Sequence, residues 1–248
     1  MPRIRTVLLP VVMHAAHGND SVKRDRIQGE YMHIVLSCRG LLALVLMSAG
    51  FAQARDGAAL RGRVELVGDG RQDVHAGEVA ETVVYYLPKG VELRPAPGRF
   101  KVDTRSKGFS PSLLVVPQGS TVSFPNSDTI LHNVFSRSGA NGFDLGFYGA
   151  GVSREHTFRR AGLVVVNCSV HQSMRANILV LSTPYFARPD RSGRYRLEGL
   201  PSGSGSLVFW HPRSAPTSVQ VTVPSEAIPA QRLIASKPPI DAHAAGRH

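Results

Sequence analysis

Short β-rich runs, each cut off by glycine or proline, fill this chain after residue 54 and leave room for little but a sheet protein. Arg61-Gly62-Arg63-Val64-Glu65-Leu66-Val67 alternates and stops at Gly68-Asp69-Gly70. Thr82-Val83-Val84-Tyr85-Tyr86-Leu87 ends at Pro88-Lys89-Gly90, and the run over 112–116 ends at Pro117-Gln118-Gly119-Ser120. Thr121-Val122-Ser123-Phe124 has period two, which predicts Val122 and Phe124 on one face. Leu163-Val164-Val165-Val166 and Ile178-Leu179-Val180-Leu181 are unbroken apolar runs, predicting strands covered on both faces. After the turn Asp190-Arg191-Ser192-Gly193, Tyr195 and Leu197 alternate with charged residues until Gly199-Leu200-Pro201 breaks the strand, and 207–210 forms another. The spacing predicts an all-β sandwich without helices. From about Ala227 the pattern fades, so 227–248 is expected to be a loose tail, with His243 and His248 solvated.

The N-terminal residues read differently. Residues 1–31 carry scattered charge and no sustained period, and are expected to be a non-native extension upstream of a true start at Met32. Gln28-Gly29-Glu30 can be encoded by a purine-rich ribosome-binding sequence, which fits a start there. From Met32 a polar segment with Arg39 leads into an apolar stretch over 41–47 and then Ala52-Gln53-Ala54. That is the pattern of a secretory signal peptide over 32–54, cleaved after Ala54, and its apolar part is too short to span a bilayer. The expected location is the periplasm. No later apolar run is long enough for a membrane helix.

Cleavage would leave about 190 residues, enough for one domain or two small ones, with Cys168 the sole cysteine and Met174 the sole methionine. A secreted chain with one cysteine forms no internal disulfide, which leaves an intermolecular bridge, an inert buried thiol or a metal ligand. The same segment holds 23 Lys and Arg against 15 Asp and Glu, dispersed and without an aromatic platform. Nucleic-acid binding is therefore disfavoured, while a basic surface would speed encounters with acidic partners.

The window Asn167-Cys168-Ser169-Val170-His171-Gln172-Ser173-Met174 sets a thiolate, an imidazole and a thioether at C-x-x-H-x-x-M between two buried strand candidates. One loop can fold all three toward a point, and His132, after the strand 121–124, is placed to supply a fourth ligand. Two histidines, a cysteine and a distant methionine suit copper, because soft sulfur favours Cu(I) and imidazole accepts both oxidation states. Zinc is the competitor, but methionine is a poor zinc ligand and only one thiolate is available. His75, His156 and His211 are expected to be surface or hydrogen-bonded residues.

These residues resemble the cupredoxin superfamily, in particular its amicyanin/plastocyanin-like group. The stretch from Pro117 to Phe124, then Asn126-Ser127-Asp128 and His132-Asn133-Val134, is similar to that group's first-ligand region. Cys168 to Arg175 resembles its ligand loop, in the short form of amicyanins. The resemblance covers about 101–181 and implies a Greek-key β-sandwich with His132, Cys168 and His171 as strong copper ligands and Met174 as the axial one. Asn133 would hold the ligand loop by hydrogen bonding, and His171 would be the partly exposed electron port. The mature chain also resembles periplasmic proteins labelled methylamine-utilisation or plastocyanin-like, although Ser173 stands where those often carry an aromatic residue. Residues 185–211 are similar to the transthyretin-like regulatory domain of carboxypeptidases, whose opening strands look like 62–87. The implied arrangement is a discontinuous module, 58–90 and 183–224, with the cupredoxin domain 101–181 inserted. No zinc-peptidase residues accompany it, so peptidase activity does not follow.

The leading expectation is a periplasmic type 1 copper protein, not an enzyme, that passes single electrons between redox partners such as a cytochrome or a dehydrogenase. The alternatives are a Cu(I) storage or delivery protein and a metal-free β-sandwich binding module. Nothing in the sequence sets the oligomeric state.

Overall fold

A computed structural model describes residues 58–225 and 228–238. The segment 1–31, the signal peptide expected at 32–54, and His243 and His248 lie outside the described residues. In chain order the first strands are β1 (Ala58–Gly68), β2 (Val83–Pro88), β3 (Arg99–Lys101), β4 (Asp103–Arg105), β5 (Gly108–Ser110), β6 (Leu113–Pro117), β7 (Thr121–Pro125) and β8 (His132–Ser136). Then come β9 (Phe143–Tyr148), β10 (Ser153–Thr157), β11 (Gly162–Asn167), β12 (Arg175–Leu181) and β13 (Phe186–Ala187). The chain closes with β14 (Arg194–Leu200), β15 (Gly203–Trp210), β16 (Thr217–Val223) and β17 (Gln231–Ala235). Among the described residues the only helical pieces are two short 3-10 turns, Glu78–Glu81 and Gly139–Asn141. The protein is all-β.

Four sheets stack as two sandwiches. In the first, a sheet in the order β10-β7-β3 faces one in the order β6-β12-β11-β8-β9. Val122 and Phe124, both fully buried, close on Val134, Val164, Val166, Ile178 and Val180 from the facing sheet. In the second, β14-β1-β17 faces β13-β2-β15-β16. Leu60, Val64, Val84, Tyr86, Leu197, Leu207, Phe209 and Leu233 fill it. Strand β2 pairs with β13 and β15, all within the second sandwich.

A third apolar layer joins the two. Because side chains alternate along a strand, β12 sends Ile178 and Val180 into the first core and Leu179 and Leu181 out of its back. There they meet Leu113 and Val115 of β6, and Val83, Tyr85 and Trp210 from β2 and β15. Strand β12 is thus covered on both faces, as its unbroken apolar run predicts. Strand β11 departs from that expectation. Val164 and Val166 are buried, but Leu163 is 38% exposed, because the third layer covers β6 and β12 and stops short of β11.

The tail expectation also needs correction. Residues 231–235 form β17, parallel to β1, with Leu233 and Ala235 fully buried. Their alternation is only two residues deep and their partner lies at the start of the domain, so local pattern alone does not reveal the strand. One turn rests on a glycine: Gly193 has φ 82°, and a Cβ there would fall 2.0 Å from the Val64 carbonyl oxygen. The Asp190 carboxylate organises the same turn by accepting from the Ser192 and Arg194 amides at 2.8 and 3.0 Å.

Candidate metal centre

Strands β11 and β12 pair down to Asn167 opposite Arg175, so 168–174 is the loop that closes them. It folds back on itself through a bond from the Met174 amide to the His171 carbonyl at 3.0 Å. This turn returns Met174, 1% exposed, to the first core, to which Cys168, 3% exposed, also belongs. Across the sheet, β8 pairs with β11 through Phe135 opposite Asn167 and carries His132 at its first position. Its side chain is fully buried, with Nδ1 3.7 Å from the Cys168 sulfur. The His171 ring lies 5.0 Å from the His132 ring, centroid to centroid.

One donor atom from each of His132, Cys168 and His171 lies within 4.8 Å of the others. Among the described residues this is the one group of His, Cys and carboxylates close enough to hold a metal ion. The half-buried His171 supplies a second observation: its Nδ1 is buried and has no hydrogen-bond partner among the described residues. A lone buried nitrogen is costly unless something accepts its lone pair. Burial depresses the pKa of His171, and the neighbouring His132 and Lys107 add to the effect, against the opposing pull of Asp128. The shift favours the neutral form, which a metal ligand requires.

Asn133, next to His132, anchors the loop. Its Oδ1 accepts from the Ser169 amide at 2.8 Å, while its Nδ2 donates to Asp144 at 3.0 Å. The first bond ties the ligand loop to β8 and leaves little freedom to the residue that follows Cys168.

Sequence reasoning missed Asp128 as a contact of His132. The spacing Asp-x-x-x-His was the available signal, but 126–131 is irregular, so the spacing does not fix a geometry. In the fold Asn126 shapes this segment: its Oδ1 accepts from the Asp128 amide at 3.0 Å, and its Nδ2 donates to the Ile130 and Tyr148 carbonyls at 2.8 and 3.1 Å. Asp128 Oδ2 then lies 2.9 Å from His132 Nε2. The same carboxylate accepts from the Ser106 and Lys107 amides at 2.6 and 2.9 Å. Burial opposes its charge, but these amides and His132 outweigh burial and hold its pKa below the ordinary value. Ser106 and Lys107, at φ 52° and 55°, form the turn of the β4–β5 hairpin. Left-handed backbone costs a non-glycine residue about 1–2 kcal/mol, and the bonds to Asp128 offset part of it.

Leu131, Val170 and Phe147 stand 58%, 48% and 59% exposed. They neighbour His132 and His171 in the chain and Asn133 across the β8–β9 ladder. The other histidines sit apart from the centre. His75 is exposed, His156 stacks on Phe143 with centroids 4.4 Å apart, and His211 is buried and hydrogen-bonded.

No family model matches the chain, and no curated protein matches it. Among solved structures it is similar to a purple cupredoxin from Nitrosopumilus maritimus, at 25% identity over 33% of this chain and 98% of that one, TM-score 0.30. It is similar to a copper-containing nitrite reductase from Thermus scotoductus SA-01, at 25% identity over 48% of this chain and only 28% of that one, TM-score 0.32. An oxidized amicyanin variant aligns at 24% identity over 33% of this chain and 81% of that one, TM-score 0.32. These likenesses are loose and partial, and the site geometry stands without them.

Proposed function

We propose that this chain is a cupredoxin-like electron carrier that holds one copper ion through His132, Cys168, His171 and Met174. The observation that carries the reading is the convergence of two imidazoles and a thiol within 4.8 Å, with the lone buried Nδ1 of His171 among them. Two nitrogens, a thiolate and a thioether are the donor types that suit copper in both its common oxidation states. Bound there, copper would supply one-electron chemistry between Cu(I) and Cu(II).

The chain's own residues define the rest. Cys168 would hold the ion as a thiolate, its thiol proton passing to solvent. His132, Cys168 and Met174 are buried in a packed core and have little room to shift when the charge of the site changes, which favours fast transfer. His171 is the least buried of the four and lies beside the exposed Val170, so a partner would approach on that side. The apolar rim of Leu131, Phe147 and Val170 would contact the partner, and the excess of 23 Lys and Arg over 15 Asp and Glu after residue 54 would steer an acidic one toward it. Such a partner would be a periplasmic cytochrome or dehydrogenase. The periplasmic location belongs to the same proposal and rests on the leader pattern over 32–54. Among the described residues no helix is long and apolar enough to cross a membrane. The second sandwich, built from β1, β2 and β13–β17, is proposed to be a transthyretin-like module into which the copper domain is inserted; the pairing of β2 with β13 and β15 supports it.

The test is a visible absorption titration of the purified protein with Cu(II) in air, followed by ascorbate. An intense thiolate-to-copper band that saturates at one equivalent and bleaches on reduction is the expected result. A colourless protein that binds Cu(I) alone would make it a copper storage or delivery protein, and absence of binding would leave a metal-free sandwich.

A further inference from the structure

We propose that Asp128 is the positioning residue of this centre, which fixes the tautomer of His132 and favours the oxidised ion. The proposal rests on the copper reading and concerns a residue outside the ligand set.

A carboxylate accepts hydrogen bonds and has none to give, so the 2.9 Å contact to His132 Nε2 requires the proton on that nitrogen. In the neutral ring the lone pair then sits on Nδ1, the atom that faces the Cys168 sulfur at 3.7 Å. The opposite tautomer would direct a proton into the centre and leave two acceptors, Nε2 and the carboxylate, in contact. Such outer contacts orient a ligand and raise its basicity.

The carboxylate is itself held. Its two oxygens accept from Ser106, Lys107 and His132, and its side chain is 13% exposed. The two amides belong to a turn whose residues both sit in the left-handed region, and the β4–β5 hairpin thereby fixes Asp128 as Asp128 fixes His132. Ser127 ties the same segment to the hairpin through a 2.7 Å bond from its hydroxyl to Asp103. A negative charge one imidazole away from the ion stabilises the dipositive state over the monopositive one.

The test uses the full chain in two forms. Long-range nitrogen–proton NMR on the metal-free protein reads the His132 tautomer, with protonation at Nε2 expected. Wild-type His132 protonated at Nδ1 would overturn the proposal whether or not any variant folds. In Asp128→Asn the amide has a single acceptor oxygen, so His132 and Lys107 lose their shared acceptor and the tautomer preference is lost. In the copper-loaded form of this variant the ratio of Cu(II) to Cu(I) affinity is expected to fall about tenfold, read as a potential about 59 mV higher. Ser127→Ala, which loosens the same segment without touching His132, is expected to lower stability and leave both readouts in place. An Asp128→Asn protein that matches wild type in tautomer and potential would overturn the proposal. Wild-type protein that binds no copper would refute the copper reading instead, and the metal-free tautomer would still decide the role of Asp128.

Discussion

Acidification should weaken this fold through one histidine far from the candidate metal centre. His211 is fully buried in the second sandwich. Its Nδ1 accepts from the Arg213 amide at 3.2 Å and its Nε2 faces the Glu78 carbonyl at 3.3 Å, so both ring nitrogens are used in the neutral form. Burial pushes its pKa down to about 4, with Arg213 adding to the effect and Glu78 opposing it. In the unfolded chain the same side chain titrates near 6.5. Between those values the unfolded state binds the proton and the folded state does not, so stability falls as the pH drops from about 6.5 to 4. A shift of this size at about 1.4 kcal/mol per unit gives a loss of about 3 kcal/mol. Carboxylates titrate over the same range, so the assay is a comparison: urea unfolding of wild type and His211→Asn at pH 7 and pH 4. The wild type should lose about 3 kcal/mol more than the variant on acidification. Equal losses in the two proteins would refute the reasoning, because they would mean that His211 takes up its proton without unfolding.

Arg213, 2% exposed, bonds Glu78 at 2.5 Å and the carbonyls of Lys237 and Asp73 at 2.7 and 2.9 Å. Arg213→Ala strands the Glu78 carboxylate and should cost about 3–5 kcal/mol by chemical denaturation, and Arg213→Lys should recover little because an ammonium lacks the planar fork. Trp210→Ala removes the largest side chain of the layer between the sandwiches. It should cost about 3–5 kcal/mol, and a second calorimetric transition would show the sandwiches melting apart. Cys168→Ser should abolish the copper absorption band while circular dichroism stays that of the wild-type fold, since a serine fits where the thiol stands.

The strands were legible where one local pattern sufficed. Val122 and Phe124 share a face because their period is two, and Ile178 to Leu181 is unbroken because both faces of β12 are packed. The same run at 163–166 misleads, since Leu163 is apolar in sequence but the layer that would cover it ends one strand away. Strand β17 was hidden because its reason for existing is β1, more than a hundred residues earlier.

The candidate centre divides along the same line. Cys168, His171 and Met174 occupy one seven-residue loop, so their spacing alone could mark them as a group. Which atoms meet was decided by the fold. His132 reaches the loop because β8 pairs with β11, and Asn133 fastens the loop to β8 through Ser169. Asp128 gains its contact to His132 only because a separate hairpin supplies two amides to hold it. Periodicity and spacing are short-range properties of the chain and can be read from it directly. Strand partners, tautomers and buried charge depend on groups far apart in sequence, and only the tertiary structure brings those groups together.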